Sequence, residues 1–422
     1  MNPNSPDSDA PEEPVCNENT STSPVGDLAV VSSPEHITRS VMCAGMFSSG
    51  STWVFNIVAQ LLRKAHPGFR IAQTYADEFA SEHETQSSGE DCLVFKTHAP
   101  SPATRMLARL GGVPLVLSIR DPRDAIASLM QRFSVSFDWA FEKVVASSES
   151  LIGLRDLPHL LLRYEDGFTN RDESVAKITQ HLGLCLPPEA LQSIFAAFTP
   201  DAVKAKIADL QAFNIISGAE PANMFDPQTQ WHPGHVGDLQ IGKWKNYLTP
   251  AQAARVSYAT RNFSAAFSYR DPDVRFSAGA PVSFSTEGTG VEYLASGFSD
   301  QEKWGIWTAC NYAMIRLKLD EPINDSVTIE ILFQLAPTLR RSATNTTARI
   351  SANGARPVVI AADDQNPDHL LLCINLNSSQ IKEDKIIEIH INFDNLRSSA
   401  EIGASSDLRL IGLGLLRLRM SI

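Results

Sequence analysis

The amino-acid sequence predicts two folds in series. The first is α/β, a P-loop-type parallel sheet covered by helices on both faces, over residues 36–275; the second is an all-β sandwich over residues 291–422, with a linker at 276–290 between them. Three observations carry this. Short apolar runs alternate with helical patterns from Ser40 to about Tyr269, as in sheets whose parallel strands are joined by helices. A glycine-containing loop separates the first such run from the first helix. After Asp271-Pro272 the helical periodicity stops, and short alternating segments separated by turn residues take over. A chain of 422 residues also exceeds what one core usually supports.

Taken in order, Val41-Met42-Cys43-Ala44 reads as a strand and Gly45 to Gly50 as a loop. A helix follows, with Trp53, Ile57 and Leu61 on one face and Val54, Val58 and Leu62 beside them. Leu93-Val94-Phe95, Leu115 to Ile119 and Leu160-Leu161-Leu162 are further strands, each ending on a polar or charged cluster. In the second region the expected strands are Ser326 to Leu335, Thr347 to Ala352, Val358 to Ala361, Leu370 to Leu376, Lys385 to Phe393 and Leu408 to Met420. Asn353-Gly354 is a strong hairpin signal.

Charge is unevenly placed. The net charge is -12, yet residues 1–35 hold seven Asp and Glu and no Lys or Arg. That stretch is rich in Pro, Ser, Asn and Glu and has too little apolar surface to offset the entropy of ordering, so it is expected to be a disordered acidic tail. It lacks the basic start and apolar run of a signal peptide, and no later stretch approaches the roughly 20 apolar residues of a membrane span, so a cytoplasmic protein without a transmembrane segment is expected. The six cysteines are scattered without metal-ligand spacing, which points to structural thiols and no metal. An acidic chain without a basic stripe interleaved with aromatics gives no sign of nucleic-acid binding.

The segment Gly45-Met46-Phe47-Ser48-Ser49-Gly50-Ser51-Thr52 lies between a strand and a helix, where backbone N–H groups and the helix N-terminus can cradle an anion. It keeps the spacing of a Walker A loop but has Ser51 where that loop has its lysine, which weighs against an ordinary ATPase, GTPase or kinase. Taken alone it reads equally well as a turn with a serine-rich helix start. Three more clusters follow strand ends: Lys96-Thr97-His98, Arg120-Asp121-Pro122-Arg123-Asp124 and Arg163-Tyr164-Glu165-Asp166. Ligands of open parallel sheets bind outside the carboxyl ends of the strands, so these clusters should share one edge with the loop and suit a polyanionic nucleotide.

Together these segments resemble the sulfotransferases that depend on 3′-phosphoadenosine 5′-phosphosulfate (PAPS). Ser49-Gly50-Ser51-Thr52-Trp53 is similar to the family's 5′-phosphosulfate loop, and Arg120 to Ser128 to its 3′-phosphate segment. Lys96-Thr97-His98-Ala99-Pro100 resembles the segment carrying the catalytic base, Arg163-Tyr164-Glu165-Asp166 the segment near the adenine, and Gly242-Lys243-Trp244-Lys245-Asn246-Tyr247-Leu248-Thr249 a late segment. The five occur in the family's order across roughly 210 residues. The resemblance implies PAPS as sulfuryl donor, held by Ser48, Ser49, Gly50, Ser51, Thr52, Trp53, Arg120, Ser128, Tyr164, Lys243 and Lys245, with no metal. Two departures stand out. Ser48 occupies a position where the family usually has Lys or Arg at the donor's bridging oxygen, and Gly237-Asp238-Leu239 replaces a triplet that clasps the 3′-phosphate, leaving His235, Lys243 and Lys245 as substitutes.

The chemistry of sulfuryl transfer gives these residues roles. A hydroxyl is a weak nucleophile near neutral pH, and His98, whose imidazole ordinarily titrates there, is the expected base; Asp77 and Glu78 are the alternatives. Lys96 is expected to stabilise charge growing on the transferred group. Arg120 can grip a phosphate through paired N–H groups, and Ser128, two turns into the next helix, can add a hydroxyl. Asp121 and Pro122 read as a helix cap and first turn without chemistry. Trp53 and Tyr164 suit either adenine stacking or core packing.

The second region resembles β-sandwich domains appended to bacterial glycosyltransferases and polysaccharide-synthesis proteins. By that analogy a carbohydrate or glycolipid hydroxyl is the expected acceptor. Trp304 and Trp307 suit sugar stacking or a sandwich core. The competing reading is a noncatalytic protein, a degenerate nucleotide domain carrying a glycan-binding sandwich, with Ser48 as its main support.

Overall fold

The computed structural model of the chain describes residues 40–77, 91–216, 225–269, 274–320, 326–381 and 385–422. The acidic tail of residues 1–35, Glu78 and the Asp271-Pro272 boundary lie outside these residues. Five parallel strands form the first sheet: β1 (Ser40–Gly45), β2 (Ile71–Tyr75), β3 (Cys92–Thr97), β4 (Leu115–Ile119) and β5 (His159–Arg163), in the order β2-β3-β1-β4-β5. The chain leaves β1 in the middle of the sheet, and that strand is buried from Val41 to Gly45. The expected strands at residues 41–44, 93–95, 115–119 and 160–162 all fall within β1, β3, β4 and β5.

Helix α1 (Ser51–Ala65) follows the loop after β1 and is buried on nearly its whole circumference, from Ser51 to Ala59 and at Leu61 and Leu62. The sheet lies on one side of it; α5 (Asp172–His181) and α6 (Pro188–Ala197) cover the other. A helix that must fill a core on all sides is apolar all round. On the far face, α3 (Pro122–Phe133) and α4 (Phe137–Ile152) pack with Met42, Phe95, Leu117 and Ile119. Helices α2 (Pro102–Gly111) and α7 (Pro200–Ala212) complete this layer structure, and α8 (Trp244–Tyr247), α9 (Pro250–Ala259) and α10 (Arg261–Ala266) lead towards the second region.

That region is a sandwich of antiparallel sheets. One has the order β13-β12-β15-β10-β7, comprising Val358–Ala361, Thr347–Ala352, Ile386–Asp394, Tyr312–Lys318 and Leu294–Ser296. The other runs β14-β11-β16-β9-β8, comprising His369–Asn377, Ser326–Leu335, Leu413–Ser421, Ile306–Thr308 and Phe298–Gln301, with the short β6 (Val282–Ser283) also on β16. Alternation places Val327, Ile329, Ile331, Phe333 and Leu335 of β11 inside, facing Ile387, Ile389, Ile391 and Phe393 of β15 in one core. The hairpin signal holds: Asn353 and Gly354 both have positive φ, 42° and 75°, and Ala355 N–H closes the turn on Ala352 O at 2.7 Å. Trp307 is buried against Trp304, Ala336 and Ile411 in a small separate cluster, and Trp304 Nε1 donates to Glu302.

The two regions share packing. Ala254 and Tyr258 of α9 belong to the sandwich core, and Tyr258 OH donates to the carbonyls of Phe298 and Ser299 at 3.3 and 3.1 Å. Removing that hydroxyl by Tyr258→Phe should cost about 1 kcal/mol of stability. Removing the ring by Tyr258→Ala should cost about 3–5 kcal/mol, as for other buried aromatics. Urea unfolding of the two variants checks both, and near-identical losses would mean that the carbonyl contacts, not the ring, hold the joint.

Candidate active site

The loop after β1 is shaped by a close approach. A Cβ on Gly45 would lie 2.1 Å from Ser118 Oγ, so only glycine lets β1 pass the end of β4 here. Ser49, fully buried, fastens the loop to the same strand: its hydroxyl lies 2.7 Å from Met46 O, 3.0 Å from Ser118 O and 2.9 Å from Ser118 Oγ. Ser48 and Gly50 take left-handed backbone, φ 59° and 81°, and Gly50 caps α1. The turn thereby brings Ser48, Gly50, Ser51, Thr52 and Trp53 to the wall of a cavity of about 620 Å³.

The other strand ends meet this cavity as expected. Lys96, His98, Arg120, Ser128, Tyr164 and Lys243 all line it. Ser49 lies beneath the loop, and Lys245 is exposed, its Nζ 5.9 Å from the Trp244 ring; neither lines the cavity. Trp53 borders the cavity and is also packed into the core: Nε1 donates to Phe198 O at 3.0 Å and the ring meets Phe168 edge-on. The Arg120 guanidinium lies 4.0 Å from the centre of the Tyr164 ring, and donates to Ser48 O at 3.1 Å and Gln240 O at 2.9 Å. Asp121 caps α3 through Arg123 N–H at 2.9 Å, with Pro122 in the first turn.

His98 has a defined tautomer. Its Nδ1 lies 2.6 Å from Gly45 O, which can only accept, so Nδ1 carries the proton and Nε2 holds a lone pair. Phe47 stacks on the ring at 4.0 Å. Asp77 is a scaffold for this turn: one carboxylate oxygen accepts from Thr97 Oγ1 at 2.7 Å, His98 N at 3.2 Å and Ala99 N at 3.1 Å. These bonds hold its carboxyl below the usual range against the opposing effect of burial.

Burial sets the electrostatics. Desolvation, reinforced by Lys96, pushes the His98 imidazole down to about 3, well below the physiological range expected from its type. Desolvation and Arg132 similarly lower Lys96 to about 7. Among the described residues two carboxylates pair with cations of this wall: Asp124 lies 3.7 Å from Arg120, and Asp238 2.9 Å from Lys243. Asp124 also staples the late segment to α3, accepting from Gly242 N at 2.6 Å and Trp244 N at 3.0 Å. Lys243 further bonds Gln131 Oε1 at 2.8 Å.

Arg132 and His232 are among the members of this wall that sequence reasoning missed. Arg132 was legible as the residue one helical turn beyond Ser128 on the same face. His232 lies in irregular backbone, where no period marks it. Much of the remaining wall is apolar or aromatic, including Phe47, Phe133, Val135, Trp139 and Phe225, with Lys143, Thr169 and Gln230 among them. No group of side chains suited to a metal ion occurs among the described residues.

Comparison with known proteins now decides the family, because the model of the sulfotransferase domain matches residues 38–266, just over half of the chain. The chain belongs to the sulfotransferase domain family. A 3-alpha-hydroxysteroid sulfotransferase from Cavia porcellus is 25% identical over 231 residues, which covers 49% of this chain and 76% of that protein. Among solved structures, the mouse sulfotransferase SULT7A1 complexed with PAP aligns with 14% identity over 55% of this chain and 88% of its own, at a TM-score of 0.41. Retinol dehydratase in complex with androsterone and inactive cofactor PAP aligns with 16% identity over 56% and 82%, at 0.35. The sulfotransferase domain thus accounts for the α/β half, and no helix among the described residues is long and apolar enough to cross a membrane.

The buried histidine yields a test on stability. The His98 pKa is lower in the folded chain than the usual 6.5, so the unfolded chain binds the extra proton between these values. Its contribution is complete above pH 6.5 and is lost as pH falls towards 3. Unfolding free energy should therefore drop between pH 6 and 4, and His98→Asn should flatten that slope by about 1.4 kcal/mol per pH unit. Denaturant titrations at several pH values check this, and an unchanged slope would place His98 in contact with water.

Proposed function

We propose that this sulfotransferase moves a sulfuryl group from PAPS to an acceptor hydroxyl, with His98 as base. One observation carries the reading: the lone pair of His98 Nε2 and the anion-cradling loop belong to the same cavity. The residues suit such a donor. Arg120 and Arg132 each keep a buried Nε without a partner, so the wall has cationic capacity for a polyanion. The loop from Ser48 to Thr52 would hold the 5′ end, and Arg120 with Ser128 the 3′-phosphate, with Lys243 near it. The donor supplies the sulfuryl group. His98 removes the acceptor's proton as its oxygen attacks, and Lys96 offsets the negative charge that develops.

The carbohydrate or glycolipid acceptor expected from the sandwich rests on that region's analogy alone. The wall beside His98 favours an apolar body bearing a hydroxyl, a phenol or a polycyclic alcohol, because Phe47, Phe133, Trp139 and Phe225 offer ring faces and Val135 an aliphatic one. Transfer of radiolabelled sulfate from PAPS onto a panel of phenols, steroid alcohols and sugars tests the reaction and the acceptor together; a panel without any labelled product would leave the noncatalytic reading standing.

Two variants probe the roles. Arg120→Ala and Ser128→Ala should each weaken adenosine 3′,5′-bisphosphate more than AMP, by about 1.5–3 kcal/mol for the charged hydrogen bond. Equal losses in calorimetry would remove them from the 3′-phosphate. His98→Asn should leave bisphosphate affinity nearly unchanged while transfer falls by about 10²–10⁴-fold; near-full transfer would move the base elsewhere.

A further inference from the structure

The reaction proposed above leaves one demand unmet by the loop itself. When the acceptor oxygen bonds to sulfur, the sulfur–oxygen bond to the 5′-phosphate breaks and its electron pair stays on the phosphate oxygen, while the acceptor's proton passes to His98. The new charge needs a cation at the loop, yet Gly45 to Thr52 contains no Lys or Arg.

Arg132 stands where that charge is required. Its Nη1 donates to Ser48 Oγ at 3.3 Å, so the guanidinium sits over the loop residue that lacks a charge. Its Nη2 donates to His232 Nε2 at 2.8 Å, and His232 Nδ1 in turn lies 2.7 Å from Pro233 O, which fixes the imidazole as an acceptor towards Arg132. Its Nε is buried without a partner. The carboxylates of the wall are engaged elsewhere, Asp124 with Arg120 and Asp238 with Lys243. A guanidinium held among other cations with no counter-charge is costly unless an anion completes the site. Burial lowers the Arg132 pKa only to about 10, so it stays charged at neutral pH.

We propose that Arg132 is a catalytic residue that neutralises the leaving phosphate, supplying from α3 the cation that the loop lacks at Ser48. This rests on the sulfuryl-transfer reading, and the test separates the two. If the unmodified protein labels no acceptor from PAPS, the reaction itself fails; if it does, the variants speak to Arg132. Arg132→Gln should bind adenosine 3′,5′-bisphosphate within tenfold of the parent by calorimetry, while kcat falls by about 10²–10³-fold, the usual effect of removing one transition-state donor. Adding Ser48→Lys to that variant returns a cation to the loop, so kcat should recover at least tenfold. Unchanged turnover in Arg132→Gln, or no recovery in the double variant, overturns the assignment. Should Arg132→Gln not fold, Arg132→Lys carries the test: retaining a tenth or more of kcat supports a need for charge at this position, and a lower rate counts against it.

Discussion

Everything at the site hangs on the contact between Gly45 and Ser118. Because residue 45 has no Cβ, β1 closes on the end of β4, the space a Cβ would need is taken by the Ser118 hydroxyl, and the Ser49 hydroxyl ties the loop to that strand end. The Gly45 carbonyl at this turn fixes the tautomer of His98, which follows β3. One steric permission therefore sets the shape of the loop after β1 and the direction of the His98 Nε2 lone pair. The two arginines then converge on the loop's next residue: Arg120 on the Ser48 carbonyl, Arg132 on its hydroxyl.

This arrangement explains why a site rich in cations survives in an acidic chain. Its charges are not spread over the surface but drawn in behind apolar walls, where each has a stated partner or is left able to receive one. Asp124 and Asp238 hold Arg120 and Lys243 in place, and Asp124 does double duty by fixing the backbone at Gly242 and Trp244. Desolvation keeps His98 neutral and Lys96 poised near neutrality. An arriving polyanion would raise both values, which helps Lys96, already near neutrality, to hold its charge.

The parts of this design that follow from local pattern were legible. Leu115–Ile119, Ser326–Leu335, Thr347–Ala352 and Val358–Ala361 are strands with the expected limits because each is bounded by turn chemistry or charge. Lys96, His98 and Arg120 were placed on the cavity because parallel sheets deliver strand ends to one edge, and Ser128 by its spacing after Arg120 in the segment that resembles the family's. What sequence hid depends on packing. Edge strand β2 buries only Thr74, so its run Ile71-Ala72-Gln73-Thr74-Tyr75 gives little periodic signal. Strand β10 points Ala313, Ile315 and Leu317 inward, but Met314 between them blurs the alternation. The last strand begins at Leu413 instead of Leu408, since Leu408 is 80% exposed in the preceding loop. The depressed imidazole of His98 comes from neighbours far off in the chain and has no local signature.

The placement of β16 has a bearing on synthesis. Residues 413–421 form an inner strand of their sheet, bonded to β11 on one side and to β9 and β6 on the other, with Thr328 opposite Ser421. A growing chain therefore cannot close the sandwich until those residues have emerged from the ribosome, whereas the contacts of β1 to β5 can form much earlier. During that interval Tyr258 and the inner faces of β11 and β15 wait uncovered, and pairings this distant along the chain are slow to find. An early-formed α/β region and a late-formed sandwich thus place the chain's greatest exposure to aggregation in the interval between the emergence of β11 and that of β16.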